Sequence, residues 1–115
     1  MSTEATFRTS VTPEDARRFA ELSGDWNPLH TDPEYASRTA YGKPILHGAF
    51  SAGLISRMAG MHLPGTECLL HSMRLRFVAS ITPPAELVVR GDAGTPEEGA
   101  RAILGLLERR GWLRA

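Results

Sequence analysis

His47-Gly48-Ala49-Phe50-Ser51-Ala52-Gly53-Leu54-Ile55-Ser56-Arg57-Met58-Ala59-Gly60 is the stretch that decides the architecture. After Gly48, only Ser51, Ser56 and Arg57 are polar, so a helix built from it is apolar on most faces. Such a helix belongs in a core rather than on a surface. Gly48, Ala49, Ala52, Gly53 and Ala59 are small, which predicts a neighbour packed close to the helix backbone. A curved sheet is the natural neighbour.

The flanks supply the strands of that sheet. From Cys68 the period switches to two: Leu69, His71, Met73, Leu75 and Phe77 share one face, and Ser72, Arg74 and Arg76 the other. This pattern predicts a strand, with His71 as a core histidine. Ser80 to Pro84 reads as a Pro-rich bend. Glu86 to Ala93 is a strand with Leu87 and Val89 on one face, and Gly94 to Gly99 is a turn. Residues 100–109 form a further strand, because the hairpin context outweighs the helix propensity of their Leu and Glu residues. Arg109-Arg110-Gly111 turns the chain into a short last strand at 112–115.

Upstream, residues 5–11 are β-prone, with Phe7 placed to face a core. Thr12-Pro13-Glu14-Asp15 carries the marks of a helix start: an N-cap hydroxyl, a proline where a missing N–H costs nothing, and acids at the positive end. The helix spans about 13–22, its inner face is Ala16, Phe19 and Ala20, and Gly24 stops it. Asp32-Pro33-Glu34 opens a second, short helix through Tyr35, Ala36 and Arg38. Residues 40–44 are a loop. The order of elements predicts an α+β domain, an antiparallel sheet wrapped around one apolar helix.

Bulk composition narrows the function. At 115 residues the chain holds one core, hence a single domain over 1–115. Formal net charge is zero, so nothing recommends nucleic acid or an anionic membrane as a partner. Basic residues are nearly all arginine, with Lys43 the one lysine. That bias suits phosphate groups and is equally a product of GC-rich coding. Cys68 is the single cysteine, so no disulfide staples the fold, and it reads as a packing residue rather than a nucleophile. The histidines show no zinc-ligand spacing, and His62 reads as a surface residue. Neither a signal peptide nor an apolar run near the ~18 residues of a membrane span is present, which predicts a cytoplasmic protein.

The chemistry sits just before the organising helix, in Ser23-Gly24-Asp25-Trp26-Asn27-Pro28-Leu29-His30. A carboxylate and an imidazole stand five positions apart. Pro28 fixes its own φ and biases Asn27 toward an extended conformation, while the Asn27 side chain locks the turn by bonding the backbone. A stiff loop bears the entropy of placing both groups before any substrate arrives. Asp25 and His30 are therefore candidates to hold one water between them. If the helix begins at Gly48, its unpaired N–H points outward at the positive end of the helix dipole, and a glycine lets a carbonyl come close. His47 reads as shaping the pocket or capping the loop.

This combination, Gly-Asp-x-Asn-Pro-Leu-His followed by a His-Gly that opens an apolar helix, resembles the MaoC-like (R)-specific enoyl-CoA hydratases. The resemblance runs from about Val11 to about Phe77. It implies a hotdog fold and the addition of water to trans-2-enoyl-CoA, or the reverse dehydration of a 3-hydroxyacyl thioester, without a cofactor or metal. Asp25 and His30 become the acid–base pair and the Gly48 amide the oxyanion donor, a kind of group typically worth about 10²–10³ in rate. Asn27, His47 and Ser56 fall on substrate-side positions, Ser56 matching a serine near the catalytic Asp. The expected partners are an acyl-CoA or acyl-carrier-protein thioester and a second copy of the chain.

Two features depart from the pattern. The family's Pro-Val-x-x-Gly-Asp turn is replaced by Ser80-Ile81-Thr82-Pro83-Pro84-Ala85, and the last strand stops early, which suggests a sheet completed by dimerisation. These leave a second reading open, a non-catalytic thioester binder or the partner subunit of a heteromeric hydratase. A thioesterase ranks third, because residues 48–60 offer no carboxylate.

Overall fold

In the computed structural model, residues 4–93, 100–108 and 111–114 are described. Strand β1 (Glu4–Val11) leads into helices α1 (Pro13–Ser23), α2 (Pro28–Thr31) and α3 (Pro33–Ser37). Helix α4 (Gly48–Arg57) continues into a π-helical turn, Met58–His62, and strands β2 (Ala85–Ala93), β3 (Ala100–Glu108) and β4 (Gly111–Arg114) follow. The four strands form one antiparallel sheet in sequential order, β1-β2-β3-β4.

Alternation decides which face of the sheet is inside. Phe7 and Val11 of β1 are buried, as are Leu87 and Val89 of β2. The register sets Phe7 opposite Val89 and Thr9 opposite Leu87, so these side chains line one face. Leu46, Met58, Leu63 and Ile81 join them in the core, with Phe50, Leu54 and Ile55 packed against it from α4. The π turn lies against β1 and β2, and α4 approaches β3.

Helix α1 forms where its punctuation demands. Thr12 Oγ1 accepts the Asp15 N–H at 3.1 Å, and the Asp15 carboxylate accepts the Thr12 N–H at 2.9 Å, a closed capping box. At the other end Gly24 has φ 79° and donates its N–H to Ala20 C=O at 2.8 Å. That left-handed cap suits a residue without Cβ. Ala16 and Ala20 are buried, as their spacing requires.

Three expectations are corrected. Residues 68–78 form no strand: the segment runs outside the sheet, and residues 69–80 are all exposed, His71 included. An alternating pattern earns burial only when a neighbouring strand satisfies its backbone, and no such neighbour stands beside it among the described residues. Second, α4 is only half covered. None of its residues is fully buried, and among the described residues nothing stands within 4 Å of the side-chain position at Gly53. Third, the stretch read as a stiff loop, Asp25–His30, runs into one helical turn at Pro28–Thr31 that the reading did not include. The turn expected at 94–99 and the Arg109-Arg110 part of the last one lie outside the described residues.

Candidate functional site

A ladder of local bonds stiffens the loop after α1. Ser23 Oγ accepts the Asp25 N–H at 3.1 Å, Asp25 Oδ1 accepts the Asn27 N–H at 3.2 Å, and Asn27 Oδ1 accepts the Leu29 N–H at 3.0 Å. Each polar side chain thus ties down the amide two residues on, the habit that makes Asn, Asp and Ser turn formers. Asn27 is thereby the N-cap of α2 and Pro28 its first residue. The sequence holds that Asn-Pro signal, although the reading of the stretch as a loop passed over the turn it starts. The role expected of Asn27 in locking the backbone is what its side chain does here.

His30 is half-buried, and its Nδ1 lies 2.8 Å from Ile45 C=O. A carbonyl only accepts, so Nδ1 carries the proton, and in the neutral ring Nε2 keeps its lone pair. The Ile45 N–H donates to Leu29 C=O at 3.2 Å, so the segment before α4 is stitched to the His30 turn in both directions. The Asp25 side chain is exposed, and its hydrogen bond uses only Oδ1. No ion pair links it to either imidazole among the described residues.

His47 is the N-cap residue of α4 and is 1% exposed. Its Nε2 lies 3.0 Å from Asp25 C=O, its ring centroid is 4.2 Å from that of His30, and Phe19 packs on it at 4.8 Å. The ring is sealed between α1, the loop and α4, behind the surface of the site. A lone His-Gly pair gave no signal of this contact, which joins residues 22 positions apart. Gly48 begins α4, where a first-turn N–H has no partner within the helix. A Cβ placed there would stand 3.1 Å from Phe77 Cζ, so the Phe77 ring lies over the glycine. Ser56 is exposed on α4, and its hydroxyl makes no hydrogen bond to Asp25 or His30 among the described residues. No group of three or more His, Cys, Asp or Glu suited to a metal is present among the described residues, and Cys68 is a free thiol.

An antiparallel sheet laid against a single glycine-started helix, with the polar loop at the helix's N-terminus, is a hotdog fold. The chain belongs to the MaoC like domain family, which matches residues 1–105. It is 39% identical over 74 residues to the 3-hydroxybutyryl-CoA dehydratase of Methylorubrum extorquens, covering 64% of this chain and 47% of that protein. It is 46% identical over 59 residues to the (R)-specific enoyl-CoA hydratase of Aeromonas caviae, covering 51% and 44%. Among solved structures it superposes on the (R)-hydratase from A. caviae involved in PHA biosynthesis with a TM-score of 0.80 and 28% identity, covering 96% of this chain and 86% of that one. The aligned region spans about half the length of these curated relatives.

Proposed function

We propose that the chain carries hydratase chemistry on an enoyl thioester: it adds water across trans-2-enoyl-CoA, or removes water from a 3-hydroxyacyl thioester, with (R) stereochemistry. The observation that carries this reading is the His30 ring, whose Nδ1 is committed to Ile45 C=O so that Nε2 is left to face a reactant. The family and the names of its relatives point the same way.

In this mechanism one water sits between His30 Nε2 and the uncommitted oxygen of Asp25. The pair takes a proton from the water as its oxygen bonds the β-carbon, and returns one to the α-carbon. The net change is H and OH added across the double bond. Positioned acid–base catalysis of this kind contributes about 10²–10⁴ in rate. The Gly48 N–H meets the thioester oxygen as it gains enolate charge, at the positive end of α4. Asn27 holds the loop, and Ser56 lies on the substrate side. No cofactor takes part. The substrate is carried on CoA or acyl carrier protein, and two copies of the chain assemble, covering the exposed 69–78 segment.

Crotonyl-CoA incubated with the full chain tests the reading. Loss of conjugated-thioester absorbance with formation of (R)-3-hydroxybutyryl-CoA is the expected result. Release of free CoA thiol would instead make it a thioesterase. A half-covered α4 favours one other reading, a thioester-binding partner subunit without activity of its own. That reading takes over if the folded chain binds the thioester and leaves it unchanged.

A further inference from the structure

We infer that His47 is a positioning residue that joins the two halves of the acid–base pair into one unit. The inference rests on the hydratase reading, which makes Asp25 and His30 an acid–base pair; the His47 contact itself is tested separately by its tautomer.

Three contacts argue for it. His47 Nε2 is 3.0 Å from Asp25 C=O, which only accepts, so Nε2 carries the proton and anchors the main chain at the carboxylate. The opposite tautomer would aim a lone pair at that carbonyl. The His47 ring also lies against the His30 ring at 4.2 Å, with 30° between their planes. Finally, His30 bonds through its own Nδ1 to Ile45, two residues before His47. One imidazole is therefore an Nε2–H donor and its neighbour an Nδ1–H donor, and each main-chain acceptor lies in the segment that carries the other imidazole.

Burial supports a purpose beyond packing. His47 is 1% exposed, and its Nδ1 is buried with no hydrogen-bond partner among the described residues. A buried polar atom left unsatisfied costs stability, and an apolar residue of similar size would avoid that cost. The Nε2–H bond to Asp25 is what a leucine here would lose. Phe19 at 4.8 Å, and Phe50 behind it, hold the ring from the other side, so it does not reach solvent or substrate.

The test compares His47→Leu with His47→Gln in the full chain, because a glutamine amide reaches about as far as Nε2 and keeps a donor there. Long-range ¹⁵N–¹H correlation spectra of the histidine rings report the tautomers. In the wild type, His47 is expected as the Nε2–H form and His30 as the Nδ1–H form. His47→Leu is expected to lower kcat on crotonyl-CoA about 10- to 100-fold, the scale of a misplaced reacting group, with KM within about 3-fold. In the same variant the His30 spectrum should become a mixture of tautomers. His47→Gln is expected to stay within about 5-fold of wild-type kcat and to keep a single His30 tautomer.

Folded His47→Leu with wild-type kcat and an unchanged His30 spectrum would overturn the inference. So would equal losses in the two variants, or a wild-type His47 in the Nδ1–H form. Should His47→Leu fail to fold, the glutamine variant decides alone: retained kcat supports the role and a loss beyond about 10-fold removes it. If the wild type hydrates nothing, the hydratase reading fails, and the tautomers of wild type and His47→Gln still judge the His47 contact.

Discussion

At the scale of single residues, the site is a matter of which atoms are already engaged. His30 has one ring nitrogen held by Ile45 C=O, and Asp25 has one oxygen held by the Asn27 amide. Among the described residues each keeps one atom uncommitted, and in the proposed mechanism those two atoms hold the water. His30→Ala and Asp25→Asn are each expected to lower kcat on crotonyl-CoA at least about 100-fold, measured by the disappearance of the conjugated thioester, with the fold checked by circular dichroism. Wild-type rates in both variants would remove the pair from the mechanism. The carboxylate and imidazole types and their stiff spacing were legible in the sequence, because Pro28 and Asn27 act locally. The partner of His30 was not legible: Ile45 lies 15 residues away, and its carbonyl has no side-chain signature. His47 reads as a pocket or loop residue from its position, whereas the fold seals it behind the loop on the Asp25 carbonyl.

At the scale of elements, local rules hold where the element needs no neighbour. The capping box, the N1 proline and the Gly24 stop produce α1 from side chain to backbone contacts inside the segment. Thr12→Ala removes the Oγ1 that accepts the Asp15 amide, so a loss of about 1 kcal/mol is expected in urea unfolding. A midpoint unchanged in Thr12→Ala would show that α1 is held by its packing alone. Strand β2 depends on its neighbours instead. Leu87 is fully buried opposite Thr9 of β1, and Leu87→Ala is expected to cost about 2–5 kcal/mol by the same measurement. The contrast with 69–78 is instructive. Its alternation is as regular as that of β2, yet β2 has β1 and β3 on either side and this segment lies outside the sheet.

At the scale of the whole molecule, the exposed segment sets the main question. Leu69 is 80% exposed, and Leu70, Met73, Leu75, Phe77 and Val78 also stand open. Apolar surface on this scale over a β-prone stretch calls for a partner. In the proposed homodimer a second copy covers it. Light scattering after size exclusion at micromolar concentration is expected to give twice the chain mass, and Leu69→Glu with Leu75→Glu to give the monomer. A wild-type monomer under those conditions would refute the dimer. Phe77 links this question to the site, because its ring lies over Gly48. Under the proposed function, covering the segment would therefore also fix one wall of the place where the thioester binds.

The sequence alone determined what acts within a few residues: the capped α1, the stiffened Asp25–His30 loop, the glycine at the head of an apolar helix, and the alternation of β1 and β2. Each depends on φ restriction, local hydrogen bonding or periodicity, and none needs a distant partner. Tertiary structure decided the rest. It set which alternating segment entered the sheet, how much of α4 was covered, and which main-chain carbonyls received the two imidazoles. Those outcomes depend on atoms far apart in the chain meeting in space, and a hydrogen bond to a backbone carbonyl leaves no mark on the residue that supplies it.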